Sequence, residues 1–249
     1  MINVTGKSLQ RSKIKEGYKS KFIVGNDLLS NAWFGLPVSD GRVLKLLLKG
    51  LYKEKIEASR FYSLSAESFS KATGIEVKES RRVLSELGEK MRYMPAIKEV
   101  NGGVTSYISW FSKCIYDKEM EEFSIKFHED ILPYIKGLVG NFSQIPISIC
   151  LEMNSSRNVG IAEWLYSNKW KKNKKNFSEL LVPVEEFCDL FKVPESSQEY
   201  KVLKQNVLKP FQKHFMGLSV AGSLEVVDIG VDCRKKGRVE NIKFIYSFV

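Results

Sequence analysis

The feature that most constrains the fold is an order of elements that occurs twice along the chain. Each half reads as a helix, a short strand, a helix, a turn, a second helix and a β-hairpin. The turn is Thr73-Gly-Ile-Glu76 in the first half, where glycine tolerates a positive φ, and Val193-Pro-Glu-Ser196 in the second. Phe69 and Phe187 fall at equivalent places before the two turns. Because a helix-turn-helix followed by a hairpin is a winged helix, the duplication predicts an α+β fold of two tandem winged-helix domains in pseudo-repeat.

The first copy has well-marked element boundaries. Ser39 is predicted to cap a helix whose leucines repeat at helical spacing. A strand is predicted at Phe61–Leu64, and Ser65 is predicted to cap the helix that follows it. A further helix is predicted from about Val77 to Met91, which makes it the second helix of the helix-turn-helix.

The rest of the first copy is predicted to be mostly strands. Asn101-Gly-Gly103 is a strong turn signal between two β-prone runs, and this hairpin is interpreted as the wing. Phe123–Phe127 alternates apolar and polar residues and is predicted to be another strand. A short helix is predicted at Leu132–Val139, and Gly140–Asn154 is interpreted as the connection to the second copy.

The second copy repeats the pattern. Ser155 or Ser156 is predicted to cap its first helix, and a strand at Leu180–Val182 leads to a short helix at Val184–Phe191. Two further strands are predicted to close a wing, at Leu224–Val231 and Ile242–Phe248.

The stretch Ser196–His214 carries the strongest functional signal. Ser196 and Glu199 have the spacing of a capping box, so a helix is predicted to begin there. Apolar residues recur along one side at three- and four-residue steps: Tyr200, Leu203, Val207, Phe211 and Phe215. The remaining surface supplies candidate DNA-binding amides and ammoniums: Gln198, Lys201, Lys204, Gln205, Lys209 and Gln212. Glutamine can pair with adenine and lysine can reach guanine in the major groove, so a sequence-reading helix is predicted, with a solvated helix face as the alternative.

Two further sets of cations are candidates for phosphate contact. The tip of the second wing holds four cations around one glycine: Arg234, Lys235, Lys236 and Arg238. In the first copy, the opening turn of the second helix offers Lys78, Arg81 and Arg82, although Glu86 and Glu89 on the same helix repel phosphates. The second copy is therefore predicted to dominate base readout.

Basic segments also lie outside the two helix-turn-helix units. Residues 1–21 are interpreted as a flexible basic arm, and residues 169–175 as a basic loop. The sequence leaves open whether either segment touches DNA or is only solvated. The predicted organisation is an arm at 1–21, an N-terminal winged helix at 22–140 and a C-terminal winged helix at 141–249.

Composition narrows the function classes. The 39 lysines and arginines exceed the 29 acids, and the net charge of +10 suits a polyanionic partner. No run of about 18 apolar residues and no signal-peptide apolar region occurs, so an intracellular protein without a membrane partner is expected. The cysteines are far apart and His128 and His214 are the only imidazoles, so no metal or other cofactor is expected. No Walker loop or Gly-x-Ser-x-Gly motif is present, so no enzymatic activity is expected.

Several stretches, in their order along the chain, resemble plasmid replication initiators of the iteron-binding Rep superfamily. The resemblance covers roughly residues 22–248. It is carried by loose motifs at Phe123–Phe127, Ile131–Ile135, Phe142–Ser143, Ser155–Leu165, Tyr200–Phe211 and Arg234–Phe244. Two departures from the family pattern are visible. In the Ser155–Leu165 motif, Trp164 replaces the family's usual aromatic residue. The pattern that follows the recognition helix in the family is replaced here by Phe211-Gln-Lys-His-Phe215.

The resemblance implies a specific function. Such proteins bind directly repeated sites at a plasmid origin as monomers, help to melt adjacent AT-rich DNA, and recruit the host replication initiator and helicase. As dimers, joined mainly through the first winged helix, many repress their own promoter at an inverted-repeat operator. The resemblance therefore implies a bacterial cytoplasmic protein, associated with plasmid DNA, that performs no chemistry on the DNA.

Three other functions remain open from the sequence. A dimeric winged-helix transcriptional repressor without a replication role needs the same groove-reading parts. A rolling-circle nicking enzyme would use a tyrosine and a metal held by a histidine cluster, which two isolated histidines do not favour. A basic structural or RNA-binding module would lack strict duplex sequence preference.

Overall fold

The computed structural model describes most of the chain as two compact units. The described residues are 21–26, 29, 36–50, 56–91, 95–101, 104–136, 142–168, 177–216, 225–232, 234–235 and 238–247. The two units comprise Met1–Ser156 and Arg157–Val249. Residues 1–20 of the basic arm and the loop 169–175 lie outside the described residues. The domain limits given above remain a prediction.

The helix-turn-helix predicted in the first unit is confirmed. Helix α2 (Ala66–Thr73) begins after Ser65, whose hydroxyl accepts the Ser68 amide N–H at 3.1 Å and so satisfies one of the free donors of the first turn. Gly74 has φ 74°, a left-handed conformation in which glycine has no Cβ penalty. The second helix, α3, spans Val77–Met91 and buries an apolar face against the core. We number the preceding elements α1 (Val38–Gly50), β1 (Lys21–Gly25) and β2 (Tyr62–Ser65).

The first wing is not the hairpin around Asn101 that the sequence predicted. Strands β3 (Pro95–Asn101) and β4 (Val104–Ser109) do pair around the predicted turn, but they form a separate two-stranded sheet. Strands β5 (Phe111–Asp117) and β6 (Glu122–Phe127) join β2 in a sheet of order β2-β6-β5. This is the winged-helix sheet, so the wing is the β5–β6 hairpin and the β3–β4 hairpin is an insertion before it.

The turn of the first wing forms without glycine. Asp117 Oδ1 accepts the amide N–H groups of Glu119 and Met120 at 2.9 and 3.0 Å, which fixes the start of the turn. Glu121 takes the left-handed conformation, with φ 51°, that glycine would favour. Because no glycine or asparagine marks this turn, the sequence pattern pointed to the Asn101 hairpin instead.

Three other predictions for the first unit are wrong. Helix α1 begins at Val38, so Ser39 lies inside its first turn and donates to Asp40 Oδ1 at 3.1 Å instead of capping the helix. The helix predicted at Leu132–Val139 is a 3₁₀ helix at Glu129–Tyr134, which ends before Ile135, while 137–139 lie outside the described residues. The segment 142–152 is not a bare connection, because β7 (Phe142–Pro146) pairs with β1 and α4 (Ile147–Glu152) follows it.

A buried arginine fixes the end of α4. Arg42 on α1 is 9% exposed, and its guanidinium donates to the carbonyl oxygens of Cys150, Leu151 and Met153 at 3.1, 2.9 and 3.3 Å. The last carbonyls of a helix lack partners within the helix, so this contact satisfies them. Burial lowers the pKa of Arg42, but a guanidinium titrates far above neutrality and stays charged.

The carboxyl group of Asp40 makes the stability of the first unit pH-dependent. Asp40 is fully buried, and its Oδ2 lies 3.7 Å from the Lys90 ammonium, which is 40% exposed. Burial raises the pKa of Asp40 above its ordinary value of 3.8, and Lys90 partly offsets that rise. A raised carboxyl pKa costs stability as the pH climbs from the unfolded pKa through the folded pKa, because the unfolded chain releases the proton more readily.

We therefore expect Lys90→Met to match the wild type below the unfolded pKa of Asp40 and to be less stable above the folded pKa. The difference at neutral pH should be about 1 kcal/mol, since Lys90 is partly solvated. Urea unfolding across the pH range measures it. In an Asp40→Asn background, Lys90→Met removes only the exposed ion pair with Glu86, so only a smaller pH-dependent difference should remain there, and one as large as in the wild-type background would contradict this account.

The second unit repeats the winged-helix order. Helix α5 (Ser156–Ser167), strand β8 (Ser178–Pro183) and helix α6 (Val184–Leu190) precede a helical run at 200–216. Its sheet has the order β8-β12-β9, the counterpart of β2-β6-β5, with β9 at Glu225–Val231 and β12 at Asn241–Ser247. The short strands β10 (Arg234–Lys235) and β11 (Arg238–Val239) pair at the wing tip. The predicted fold of two tandem winged helices is confirmed.

An aromatic cluster forms the core of the second unit. Trp164 on α5 makes edge contacts with Phe187, Phe191 and Phe244, with ring centroids 6.4, 5.5 and 5.6 Å apart. The three phenylalanines are at most 2% exposed. Edge-to-face packing of this kind adds to the hydrophobic gain from burial, so this cluster joins α5, α6 and the sheet.

Candidate nucleic-acid interface

The 200–216 helix begins later than predicted. Its N-cap is Glu199, which makes no side-chain cap bond, and its first residue is Tyr200. Residues Glu195–Ser197 form a 3₁₀ turn, in which the Ser197 amide N–H donates to the Pro194 carbonyl at 2.8 Å. The capping box proposed at Ser196 is therefore wrong, because the turn places Ser196 outside the helix.

Gln198 lies before the helix and not on its outer face. Its side-chain amide is half-buried and donates to the Val193 carbonyl at 3.0 Å, which ties the turn of the helix-turn-helix to the start of the 200–216 helix. Gln198 thus braces the turn, and one of its amide N–H donors is already engaged.

A wide turn in the middle of the helix accommodates a proline. The helix consists of α-helical residues Tyr200–Leu203, a π turn at Lys204–Leu208 and α-helical residues Lys209–Met216. The Lys209 amide N–H donates to the Lys204 carbonyl, five residues back. Proline has no N–H and its ring clashes with the carbonyl four residues earlier, so Pro210 strains a regular α-helix and a wider turn relieves it. Pro210 was visible in the sequence and was the signal for this turn.

The outer face of the helix carries a basic stripe, defined by Lys201, Gln205, Lys209 and Lys213. These four exposed residues are spaced four apart. On a regular α-helix residues at this spacing rotate gradually around the helix axis, and the wider π turn reduces that rotation. Asn206 is exposed beside them. Residues 200–216 contain no carboxylate. Among the described residues no lysine of the stripe makes an ion pair, so these ammoniums are available to an anionic partner.

The stripe differs in part from the predicted set. Lys201, Gln205 and Lys209 are exposed as predicted, while Lys204 and Gln212 are half-buried on the flanks. Lys213 and Asn206 were not among the predicted residues, because a regular α-helix was expected throughout. Which of these residues bind DNA remains a prediction.

The second wing brings two of its cations onto neighbouring strands. Arg234 pairs with Val239 and Lys235 with Arg238 in antiparallel register. Arg238 is exposed and makes no ion pair among the described residues. Lys236 lies outside the described residues, and the side chains of Arg234 and Lys235 are not described. The wing tip is thus a basic hairpin in the same unit as the basic stripe.

In the corresponding helix of the first unit, α3, two of the three predicted cations already form ion pairs. Arg82 donates to Glu79 at 2.9 Å and to Glu86 at 2.8 Å, and Arg81 pairs with Glu121 at 2.8 Å. These bonds to Arg82 lower the pKa of both Glu79 and Glu86. The wing beside it is acidic, with four carboxylates and one lysine at 117–122. Of the three predicted contacts on α3, only Lys78 is exposed without an ion pair among the described residues.

Arg157 positions the turn that precedes the 200–216 helix. From the first turn of α5, its Nε donates to the Phe191 carbonyl at 3.1 Å and its Nη2 to the Lys192 carbonyl at 3.2 Å. Lys192 has φ 48°, a conformation that a non-glycine residue rarely adopts. The guanidinium holds this turn from outside, so it acts as a positioning residue for the helix.

Comparison with known families decides what kind of protein carries this interface. A family model described as Initiator Replication protein, WH1, matches residues 22–166, more than half of the chain. The chain belongs to this family of replication initiators. No curated protein sequence matches the chain.

The fold of this initiator also matches solved structures. One is a crystal structure of Pi initiator protein in complex with iteron DNA, 18% identical, which covers 93% of this chain and 98% of the other at a TM-score of 0.77. Another is the WH1 domain of a replication protein isolated from a multiple sclerosis patient, 16% identical, which covers 39% of this chain and 78% of the other at a TM-score of 0.32. The first likeness shows that the tandem fold extends through the second unit of the initiator.

Two features are absent from the part of the chain that the structure describes. No three His, Cys, Asp or Glu side chains there lie together as a metal ion requires. No helix in the same part of the chain is long and apolar enough to cross a bilayer.

Proposed function

We propose that this initiator starts plasmid replication by binding directly repeated double-stranded DNA sites, or iterons, at the origin. The observation that carries this proposal is the basic stripe, which presents three lysines and a glutamine without a carboxylate on the second helix of a helix-turn-helix. That helix enters the major groove in this class of fold. The family membership and the likeness in fold to an initiator solved with iteron DNA support the same function.

The two parts of the second unit take different roles in this proposal. The start of a recognition helix approaches the bases most deeply, so Lys201 and Gln205 read bases while Lys209 and Lys213 contact phosphates. Arg238 and the other wing-tip cations hold the backbone beside the groove. Phosphate contacts set the register and base contacts set the sequence preference.

The first unit has a different role in the proposal. Its helix α3 has Arg81 and Arg82 engaged by carboxylates, and its wing is acidic, which favours a protein partner over a phosphate backbone. We propose that this unit joins two copies in a dimer that represses the initiator's own promoter. Recruitment of the host initiator and helicase, a location in the bacterial cytoplasm with the plasmid, and the absence of enzymatic activity belong to the same proposal.

A footprint on the DNA flanking the gene of this initiator tests the proposal. Protection of several direct repeats is expected for origin binding, while a protected single palindrome alone would make the chain a repressor without a replication role. The footprint reports the site, the number of repeats and their orientation in one measurement.

Single substitutions test the assignment of the reading helix. Gln205→Ala or Lys201→Ala should cost about 1 to 3 kcal/mol of binding free energy on the specific site and much less on random duplex, because a base contact carries sequence information. Titrations on both duplexes measure the difference. Equal losses of binding free energy on the two duplexes would mean that the helix contacts only phosphates.

A further inference from the structure

A cluster on the outer face of the first unit's sheet is unused by duplex binding as proposed above. Phe61, just before β2, is a large apolar side chain that is 39% exposed. The Lys126 ammonium on β6 lies 4.6 Å from the centre of its ring, and the Lys113 ammonium on β5 lies 6.0 Å from it. We name these three residues the Phe61 cluster.

The register of the sheet brings two like charges together. Lys113 is directly opposite Lys126 in the β5–β6 pairing. Like charges directly opposite on neighbouring strands destabilise a sheet. Among the described residues neither ammonium has a carboxylate partner, and the face of the Phe61 ring offsets their repulsion only in part. An anion bound between the two lysines would remove the remaining cost.

An irregularity in β5 creates this juxtaposition. The register shifts between Phe111 and Lys113, so Ser112 is an extra residue opposite the β6 strand. The bulge leaves Phe111 opposite Phe127 and places Lys113 opposite Lys126 on the outer face. Bulges of this kind re-aim side chains and occur often beside functional sites.

The outer face changes in chemical character from one end to the other. Beyond the Phe61 cluster come Ser63 and Ser124, whose hydroxyl oxygens are 2.7 Å apart, and the exposed Ile115. The far end, at the wing turn, is acidic. A polyanion is therefore favoured only at the end that holds Phe61 and the two lysines.

We infer that the Phe61 cluster is a binding site for single-stranded nucleic acid. Proteins that bind single strands combine cations that follow the backbone with exposed aromatic rings on which bases stack. Phe61 supplies the ring, on whose face a base replaces the Lys126 ammonium, and Lys113 and Lys126 then bind phosphates on either side of the stacked base. A paired base cannot stack on Phe61, because its faces are covered by its neighbours in the duplex. The site thus selects an unpaired strand.

The test measures binding of a labelled oligothymidine of about 20 nucleotides to the full-length chain across a range of salt concentrations. Phe61→Ala should weaken binding about tenfold and leave the salt dependence unchanged, because stacking is not ionic. Lys113→Gln with Lys126→Gln should reduce the slope of log affinity against log salt by about 1.4, the contribution of two phosphate contacts on a single strand. Phe61→Tyr keeps the ring and should bind as the wild type does.

Matched controls come from the same unit. Tyr107→Ala removes another exposed aromatic ring, and Lys118→Gln removes a lysine at the acidic end of the same sheet. Neither should change oligothymidine binding. Affinity for duplex iteron DNA should be unchanged in all variants, which also shows that they fold. The oligothymidine arm needs no iteron, so its result is independent of the proposed duplex function.

Three outcomes would overturn the inference. If none of the three substitutions changes the affinity for oligothymidine, the Phe61 cluster is not a single-strand binding site. Equal losses on duplex and single strand would make the lysines part of the duplex interface. If the variants lose affinity only for a peptide of alternating glutamate and phenylalanine, the cluster is a docking site for an acidic protein.

Discussion

Replacing Lys201, Lys209 and Lys213 together by alanine should weaken binding to the specific duplex roughly 100-fold at physiological ionic strength. Each ammonium that contacts a phosphate releases a condensed counterion, so the two phosphate contacts of Lys209 and Lys213 contribute about 1.8 to the slope of log affinity against log salt, and the loss of Lys201 removes a base contact as well. The lysines of the basic stripe make no ion pair among the described residues, so no internal partner has to be given up for DNA. Titration at several salt concentrations measures both the affinity and the slope.

The matched control is the same kind of triple variant on the first unit, Lys78→Ala with Arg81→Ala and Arg82→Ala. Arg81 and Arg82 are already engaged by Glu121, Glu79 and Glu86. The loss should therefore be much smaller, close to that of one phosphate contact. A loss as large as that of the stripe variant would show that these ion pairs open on DNA, and that the two units share the duplex equally.

The tandem fold could be predicted because its signals are local. Ser65, Gly74 and the apolar spacing of α3 fix the first helix-turn-helix within a few residues of one another, and the structure places each as expected. The second copy has the same pattern before its own turn. The duplicated fold then follows because the same local helix-turn-helix pattern occurs in both halves of the chain. It does not require knowing which distant strands pair.

The wing of the first unit could not be predicted in the same way. Two hairpins compete for that role, and the choice depends on which strand pairs with β2, far away in sequence. The glycine-rich turn at Asn101 gives the stronger local signal, while the true wing turns through Asp117 and Glu121 without glycine. Sheet order is a tertiary property, and turn chemistry alone does not determine it.

The candidate site was partly predictable for a related reason. The periodicity of 196–214 identified the correct helix and three of the four residues in the basic stripe: Lys201, Gln205 and Lys209. Lys213 depends on the π turn at Lys204–Leu208, which changes the face that later residues present. The ion pair from Arg81 to Glu121 depends on a contact across the unit that no spacing rule contains. The sequence was therefore enough to identify the helix. The structure was needed to show which of its side chains are exposed and which cations are engaged in ion pairs.

Truncating Phe187 to alanine should cost about 3 to 5 kcal/mol of unfolding free energy. The ring is fully buried, with its centroid 4.6 Å from that of Phe191 and 5.8 Å from that of Phe244. Removing it leaves a cavity where α6, α5 and the sheet meet, and the neighbouring rings cannot all close in on it. Urea unfolding measures the loss as a lower midpoint at unchanged slope.

Two comparison variants separate the cavity from a general effect of substitution. Leu181→Ala removes a side chain that is 47% exposed on β8 and should change stability by less than about 0.5 kcal/mol. Phe187→Leu keeps an apolar side chain of similar bulk and should cost much less than Phe187→Ala. Because α6 ends in the turn that Arg157 holds, loosening this cluster also frees the start of the 200–216 helix. Phe187→Ala should therefore lose affinity for the specific duplex at temperatures where it is still folded, whereas a variant that binds normally until it unfolds would show that Arg157 alone holds the turn.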